Sequence, residues 1–272
     1  MAFPPGSQSP RLMERAHPLA SGLIIDNDID NAHSHDEPQH PMNPRPALHR
    51  TETPKLAGMR PRKAVYATLK RRILLNDLQP GAALTELGLA QELMCSQGTV
   101  REALLRLQED GLVLRAGHRG TTVTPLDPEE ADEILALRRR LERRGALRAV
   151  SSLTPASMKE ILALQQGMDQ AAIANDTYLM IELDTAFHMA IFRLAGLRAL
   201  EQILLRCILH SHRQKLWEPR HNRPLDKTAQ RHRPIIEALG KSGEDLAAAL
   251  AHHIDTIVDV THEPETAPKQ QK

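Results

Sequence analysis

Residues 83–124 read ALTELGLAQELMCSQGTVREALLRLQEDGLVLRAGHRGTTVT. Thr85 is placed to cap a helix whose Leu89, Ala90 and Leu93 face inward. Met94-Cys95 makes a turn. Ser96 is placed to cap the next helix, with Thr99-x-x-Glu102 as a competing capping box, and Val100, Ala103, Leu104 and Leu107 form its buried stripe. Gly111 is the expected stop, because glycine takes the left-handed conformation without strain. A strand over Leu112–Leu114, a tip at Gly117–Gly120 and a β-branched return strand over Thr121–Thr124 complete a hairpin. Helix, turn, helix and hairpin in this order predict a winged helix-turn-helix, which places one helix in a DNA major groove.

Upstream, Val65, Leu69, Ile73 and Leu74 recur at helical spacing, and Asn76 to Gly81 ends that helix in a Pro-Gly turn. Residues 1–60 are rich in Pro, His, Ser and Asn, carry no sustained apolar period, and are expected to be a disordered extension. Their five histidines, among them His33 and His35, are read as incidental. Downstream no strand signal appears. Asp127-Pro128-Glu129-Glu130 starts a long helix to about Ser151, with an N-cap, an early proline and acids near the positive helix end. Further helices are expected over 154–173, 177–195, 198–217, 225–240 and 243–260. The predicted fold is therefore mostly α: a winged helix-turn-helix over 61–126, an antiparallel α-helical bundle over 127–262, and a flexible tail over 263–272.

Composition agrees. Of 272 residues 41% are hydrophobic but only 2% aromatic, which suits helix-on-helix packing of Leu, Ala, Ile and Val. The net charge is +1, yet residues 60–126 hold ten Lys/Arg against six Asp/Glu, a local excess of +4 where a polyanion would be met. Cys95 and Cys207 have no metal or redox spacing and read as buried thiols. No apolar run reaches 18 residues, so no spanning helix and no membrane partner is expected, and the chain reads as cytoplasmic.

Base reading would fall to the start of the second helix of the motif, at Gln97, Gly98, Thr99 and Arg101. Gln can pair with adenine, Arg with guanine or phosphate, and Gly98 permits close approach. His118, Arg119 and Gly120 on the wing and Arg62 before the first helix suit phosphate or minor-groove contact. The competing reading is a winged helix used as a protein-binding module.

The stretch Leu89 to Val113 resembles the GntR family of bacterial transcription regulators. The pattern is Leu-Ala-x-x-Leu followed by Ser-x-x-x-Val-Arg-Glu-Ala-Leu-x-x-Leu-x-x-x-Gly-Leu-Val. This chain has Gln97-Gly98-Thr99 where that family usually has Arg-Thr-Pro. The resemblance carries over to Arg101 and Gly120.

In the helical half, Asp184 and His188 lie four apart, one turn apart on one helix face. They can grip one cation or form a surface pair. His232 and His253 follow on later helices. Three imidazoles and a carboxylate suit Zn, Ni, Mn or Fe. His210 and His212 sit on a helix that could line the same cavity but are read as packing residues, and Trp217 as a packing anchor.

The segment Pro128–His253 resembles the FadR-like branch of the GntR family, with its all-helical FCD effector domain. The matching pieces are Leu137-Arg138-x-x-Leu141-Glu142, Asp184-x-x-x-His188, His232-x-x-Ile235-x-x-Ala238-Leu239 and Ala249-Leu250-x-x-His253-Ile254. The resemblance implies a divalent metal held by Asp184, His188, His232 and His253, with Arg138 holding a carboxylate ligand. His252 is the alternative to His253, and only His253 keeps the family's spacing to Leu250. Pro234 is expected to bend the helix beside His232 or to mark its start.

Together these readings predict a ligand-responsive, sequence-specific DNA-binding regulator, a repressor released by a small carboxylate effector. It would bind double-stranded DNA as a homodimer on a palindromic operator. The long helix from Pro128 would couple the two halves. The alternative is a metal-dependent enzyme with an accessory winged helix. It lacks a motif for a general acid or base beyond the ligands themselves.

Overall fold

A computed structural model describes residues 61–115, 120–217 and 223–257. The N-terminal extension, the wing-tip residues His118 and Arg119, and the tail lie outside the described residues. The first half runs α1 (Pro61–Leu74), β1 (Ala83–Leu84), α2 (Glu86–Glu92), α3 (Gln97–Glu109), β2 (Val113–Arg115) and β3 (Thr121–Val123). Thr85 Oγ1 accepts from the Gly88 amide at 3.1 Å and caps α2. Ser96 Oγ accepts from the Thr99 amide at 3.1 Å, so Ser96 caps α3 in preference to the Thr99 box. Leu69, Ile73, Leu74, Val100, Leu104, Leu107 and Leu112 are fully buried together. Each contributes about 1.5–3 kcal/mol relative to exposure.

Two local details differ from the sequence expectation. The C-terminus of α3 closes with the Leu112 amide donating to the Leu107 carbonyl at 2.8 Å and the Gly111 amide to Gln108 at 3.0 Å, with Gly111 at φ 76°. This Schellman closure uses Leu112, so β2 starts at Val113 rather than at Leu112. The sheet also has three strands in the order β1-β3-β2, not two. Ala83 pairs with Thr122 and Leu84 with Thr121, a segment too short to show any alternation in sequence.

The second half runs α4 (Pro128–Ala149), α5 (Pro155–Ile173), α6 (Thr177–Leu194), α7 (Glu201–Trp217), α8 (Leu225–Gln230), α9 (Arg233–Leu239) and α10 (Gly243–Asp255). Asp127 caps α4 through the Glu129 and Glu130 amides. The single helix expected over 225–240 is two. Pro234 lacks the amide a continuous helix needs, and its ring would meet the carbonyl one turn back. The chain therefore restarts at α9, with the fully buried His232 as its N-cap. Trp217, expected as an anchor, is 38% exposed; Cys207 is buried, Cys95 only half-buried.

The halves meet along α7. Gln202 Nε2 and Arg206 Nε donate to the Glu109 carbonyl at 2.9 and 2.6 Å, and His210 Nε2 donates to Gly111 O at 3.0 Å. Arg213, fully buried, donates to Thr124 O at 2.7 Å. These donors satisfy carbonyls at the C-terminus of α3 and the exit of the sheet. Burial, then the Arg213 charge, lower the His210 pKa to about 4, against 6.5 for the free side chain. Unfolded chain thus binds a proton that the native state refuses between those values, so stability rises with pH there. Urea unfolding should show the protein losing stability as pH falls from about 6.5 towards 4, by at most about 3 kcal/mol from this residue. His210→Gln should flatten that slope.

Candidate functional site

At the start of α3, Gln97 and Gly98 are exposed and Thr99 is half-buried. The Thr99 hydroxyl lies 2.9 Å from Ser96 Oγ. Arg101 projects from the same first turns, its side chain 60% exposed. It donates twice to Glu86 of α2, from Nε at 3.0 Å and Nη2 at 2.8 Å, and Arg115 of β2 reaches the same carboxylate at 3.3 Å. Glu86 thus holds two arginines at the mouth of α3 and sits below the usual carboxylate range through them. Arg62 on α1 pairs with Glu102 at 2.9 Å. Gly120 opens β3 at φ 84°, a backbone that suits glycine.

Inside the bundle, Asp184, His188, His232 and His253 are all buried, and one ligand atom from each lies within 4.8 Å of the others. The surface-pair reading of Asp184 and His188 is therefore wrong: they are 5% and 1% exposed. His252 is exposed and turned away from this cluster, leaving His253. His232 Nε2 is 2.9 Å from Asp184 Oδ1, and His188 Nε2 is 3.8 Å from Oδ2. The His253 ring lies 4.5 Å from that of His232 and 5.0 Å from that of His188.

Two residues join that sequence reading did not assign. Glu142 on α4 accepts from His188 Nδ1 at 2.6 Å and from Arg138 Nε at 2.7 Å. His212 on α7, read as packing, puts Nε2 3.1 Å from Asp184 Oδ2. The signal for Glu142 was present in the Arg138-x-x-x-Glu142 spacing; nothing local marks His212. Arg138 is 1% exposed and tied to Glu142, with Nη2 buried and unpartnered among the described residues.

Protons decide what the cluster can do. A neutral imidazole has one N–H. His188 uses its own on Glu142, and His232 donates from Nδ1 to Thr228 O at 3.2 Å. Both Nε2 lone pairs then face the Asp184 carboxylate. Asp184 Oδ2, Nε2 of His188, His212 and His232, and Nδ1 of His253 are buried with no partner in hydrogen-bonding alignment among the described residues. Protonation is a poor remedy, because burial holds His232 below the usual imidazole range and His253 well below it. Acceptors facing an anion in a dry site fit a bound cation, and Glu142 and the Thr228 carbonyl would then be the outer partners that orient His188 and His232.

Comparison with known proteins places this arrangement. Residues 61–123 match the model of bacterial regulatory proteins of the gntR family, and residues 133–256 match the FCD domain. A regulator from the TAR-I ttuE-ttuC′ intergenic region of Agrobacterium vitis is 32% identical over 46% of this chain and 75% of its own. The chain belongs to the GntR family.

The transcriptional regulator McbR of Escherichia coli K12 is 32% identical over 50% of this chain, a match that spans 62% of McbR. The solved E. coli McbR/YncC structure superposes with a TM-score of 0.62 at 26% identity, covering 73% of this chain and 95% of that one. The repressor RspR of the same strain is 25% identical over 71% of this chain and 85% of its own. These relatives are transcription regulators, not enzymes, and the enzyme reading is set aside. No described helix is long and apolar enough to cross a membrane.

Purified protein should carry about one transition-metal ion per chain by elemental analysis, since the four inward ligands form a single site. Asp184→Ala and His232→Ala should each lose that metal while keeping the helical circular dichroism. Full metal retention in both would remove the centre.

Proposed function

We propose that the protein is a metal-dependent, acid-responsive repressor that binds a palindromic operator as a homodimer. The observation that carries the effector half is the cluster of unpartnered acceptors around Asp184. Asp184, His188, His232 and His253 would hold a divalent ion such as Zn, Ni, Mn or Fe. The ion supplies a positive centre on which a carboxylate can coordinate. Arg138 lines the adjoining cavity, and its unpartnered Nη2 is suited to receive an acid oxygen.

Operator recognition falls to Gln97, Gly98, Thr99 and Arg101 for bases, with Arg62, His118, Arg119 and Gly120 on the backbone. Arg101 reaches DNA by exchanging Glu86 for a base or phosphate, and Glu86 stays behind on Arg115.

Beside the Lys70–Glu182 pair of α1 and α6, the α7 helix is a physical connection between the halves that touches Asp184. Its His212 touches Asp184, while Gln202, Arg206, His210 and Arg213 hold the end of the DNA-reading helix. This route is separate from the covalent link through α4. A difference of about 1–3 kcal/mol between the two states would change operator affinity roughly 5- to 150-fold.

The dimer reading is supported by α4. Its exposed face is acidic in the first half, at Glu129, Glu130 and Glu133, and basic in the second, at Arg140, Arg143 and Arg144. None of these six has an ion pair among the described residues. An antiparallel second copy with the two-fold axis between Ala136 and Leu137, both exposed, sets Glu129 against Arg144, Glu130 against Arg143 and Glu133 against Arg140. The face is self-complementary, as a two-fold interface requires.

Fluorescence anisotropy against the DNA upstream of its own gene tests the regulator. The metal-loaded protein should prefer that DNA to a scrambled duplex, and organic acids should release it. Arg101→Ala should cost about 1–3 kcal/mol on the operator and less on scrambled DNA. Equal affinity for both duplexes would leave only phosphate contact.

Sedimentation velocity tests the dimer separately. Glu130→Arg with Glu133→Arg should weaken self-association about tenfold, because exposed pairs are each worth up to about 1 kcal/mol. Adding Arg140→Glu and Arg143→Glu should restore it. Unchanged association in the double variant would move the interface elsewhere.

A further inference from the structure

The cavity beside Asp184 holds more positive charge than one carboxylate needs. A space of about 260 Å³ opens from Asp184 and His212 outwards, past Thr228 and Lys215 to Arg223 and Leu225. A smaller space shares the walls Asp184, His212, Lys215 and Thr228 and adds Arg138 and Arg231. The two spaces are therefore neighbours, with Lys215 between them. Lining them are four cationic side chains, Arg138, Lys215, Arg223 and Arg231, and one carboxylate, Asp184.

The cations are not equivalent. Arg138 is tied to Glu142. Arg231 donates to the His253 carbonyl and to Thr256 Oγ1, and Arg223 to the Thr256 carbonyl, so both hold the end of α10. Lys215 has no hydrogen bond and no ion pair among the described residues. It is half-buried and sits one helical turn beyond His212 on α7, so the two reach into the same space. Asp184 lines the same spaces but makes no ion pair with Lys215, and a partly desolvated ammonium without a contacting carboxylate is costly unless an anion arrives.

We propose that Lys215 is a second anion subsite and that the effector is a dianion, a short dicarboxylate. One carboxylate meets the Asp184 centre and Arg138, and the other meets Lys215 at the mouth. This inference rests on the effector reading above and narrows its ligand class. The apolar side chains Met180, Ile181 and Leu225 line the larger space along with Asp184 and Lys215 and suit a methylene spacer. Lys215 also belongs to α7, so the second carboxylate would pull on the helix that holds the end of α3.

Isothermal titration calorimetry on metal-loaded, full-length protein, freed of unbound metal by gel filtration, tests this. The probes are malonate, succinate, glutarate and adipate, with butyrate as the monoanion. The wild type should bind at least one diacid roughly tenfold or more tightly than butyrate, the worth of about one charge-assisted hydrogen bond. Lys215→Met, which keeps the apolar stem, should lose that preference while keeping its metal and its butyrate affinity. Lys215→Arg should recover most of it. Diacids no tighter than butyrate in the wild type, or a preference that survives in Lys215→Met, overturn the Lys215 subsite and leave the effector reading intact. Failure of every acid to bind the metal-loaded protein overturns both.

Discussion

A buried carboxylate ringed by imidazoles governs the helical half. Asp184 lies within 3.8 Å of nitrogens from three histidines on three helices, α6, α7 and the start of α9. Removing such a group from water is expensive, and the cost is met only if charge and hydrogen bonds are arranged around it. Much of the surrounding architecture follows from that demand. The break before α9 brings His232 in at a helix start, where its Nδ1 can donate to the Thr228 carbonyl. Glu142 comes across from α4 to orient His188, and Arg138 neutralises Glu142. Left to themselves, these acceptors face one another in a dry site, and a cation would give the inward atoms of Asp184, His188, His232 and His253 a partner.

The winged helix-turn-helix was legible because its signals are local. Caps at Thr85 and Ser96, a buried stripe through α3 and a left-handed Gly111 each act within one turn of chain, so their residues can be read in order. The misses there have two origins, one local and one not. Leu112 has the composition of a strand residue, but its amide closes α3. The two residues of β1 make sense only once β3 lies beside them.

The metal cluster was legible in a different way. Spacing alone left Asp184 and His188 open to a surface pair, and it took the family resemblance to join them to His232 and His253. Burial then excludes the surface pair. His212 escaped because its role depends on the rotation of α7 against α6, which no spacing within α7 reveals. Lys215 escaped for the same reason. Its sequence neighbours give no hint that it has no ion pair among the described residues.

The placement of α7 sets the energy scale of any communication between the halves. Its side chains make several hydrogen bonds to carbonyls around the end of α3 and at Thr124, and a net hydrogen bond is worth about 0.5–1.5 kcal/mol. A regulatory coupling of about 1–3 kcal/mol therefore needs only one or two of them to weaken. No domain needs to unfold and no large rotation is required. A small shift of α7 where His212 meets Asp184 would reach Arg206 and His210 at the end of α3, because both sets of residues ride on one helix. The same stretch of α7 thus carries His212 at Asp184 and, beside it, His210 and Arg213 at the end of α3 and the exit of the sheet, while Lys70 of α1 pairs with Glu182 of α6 at 2.7 Å as a further contact between the halves.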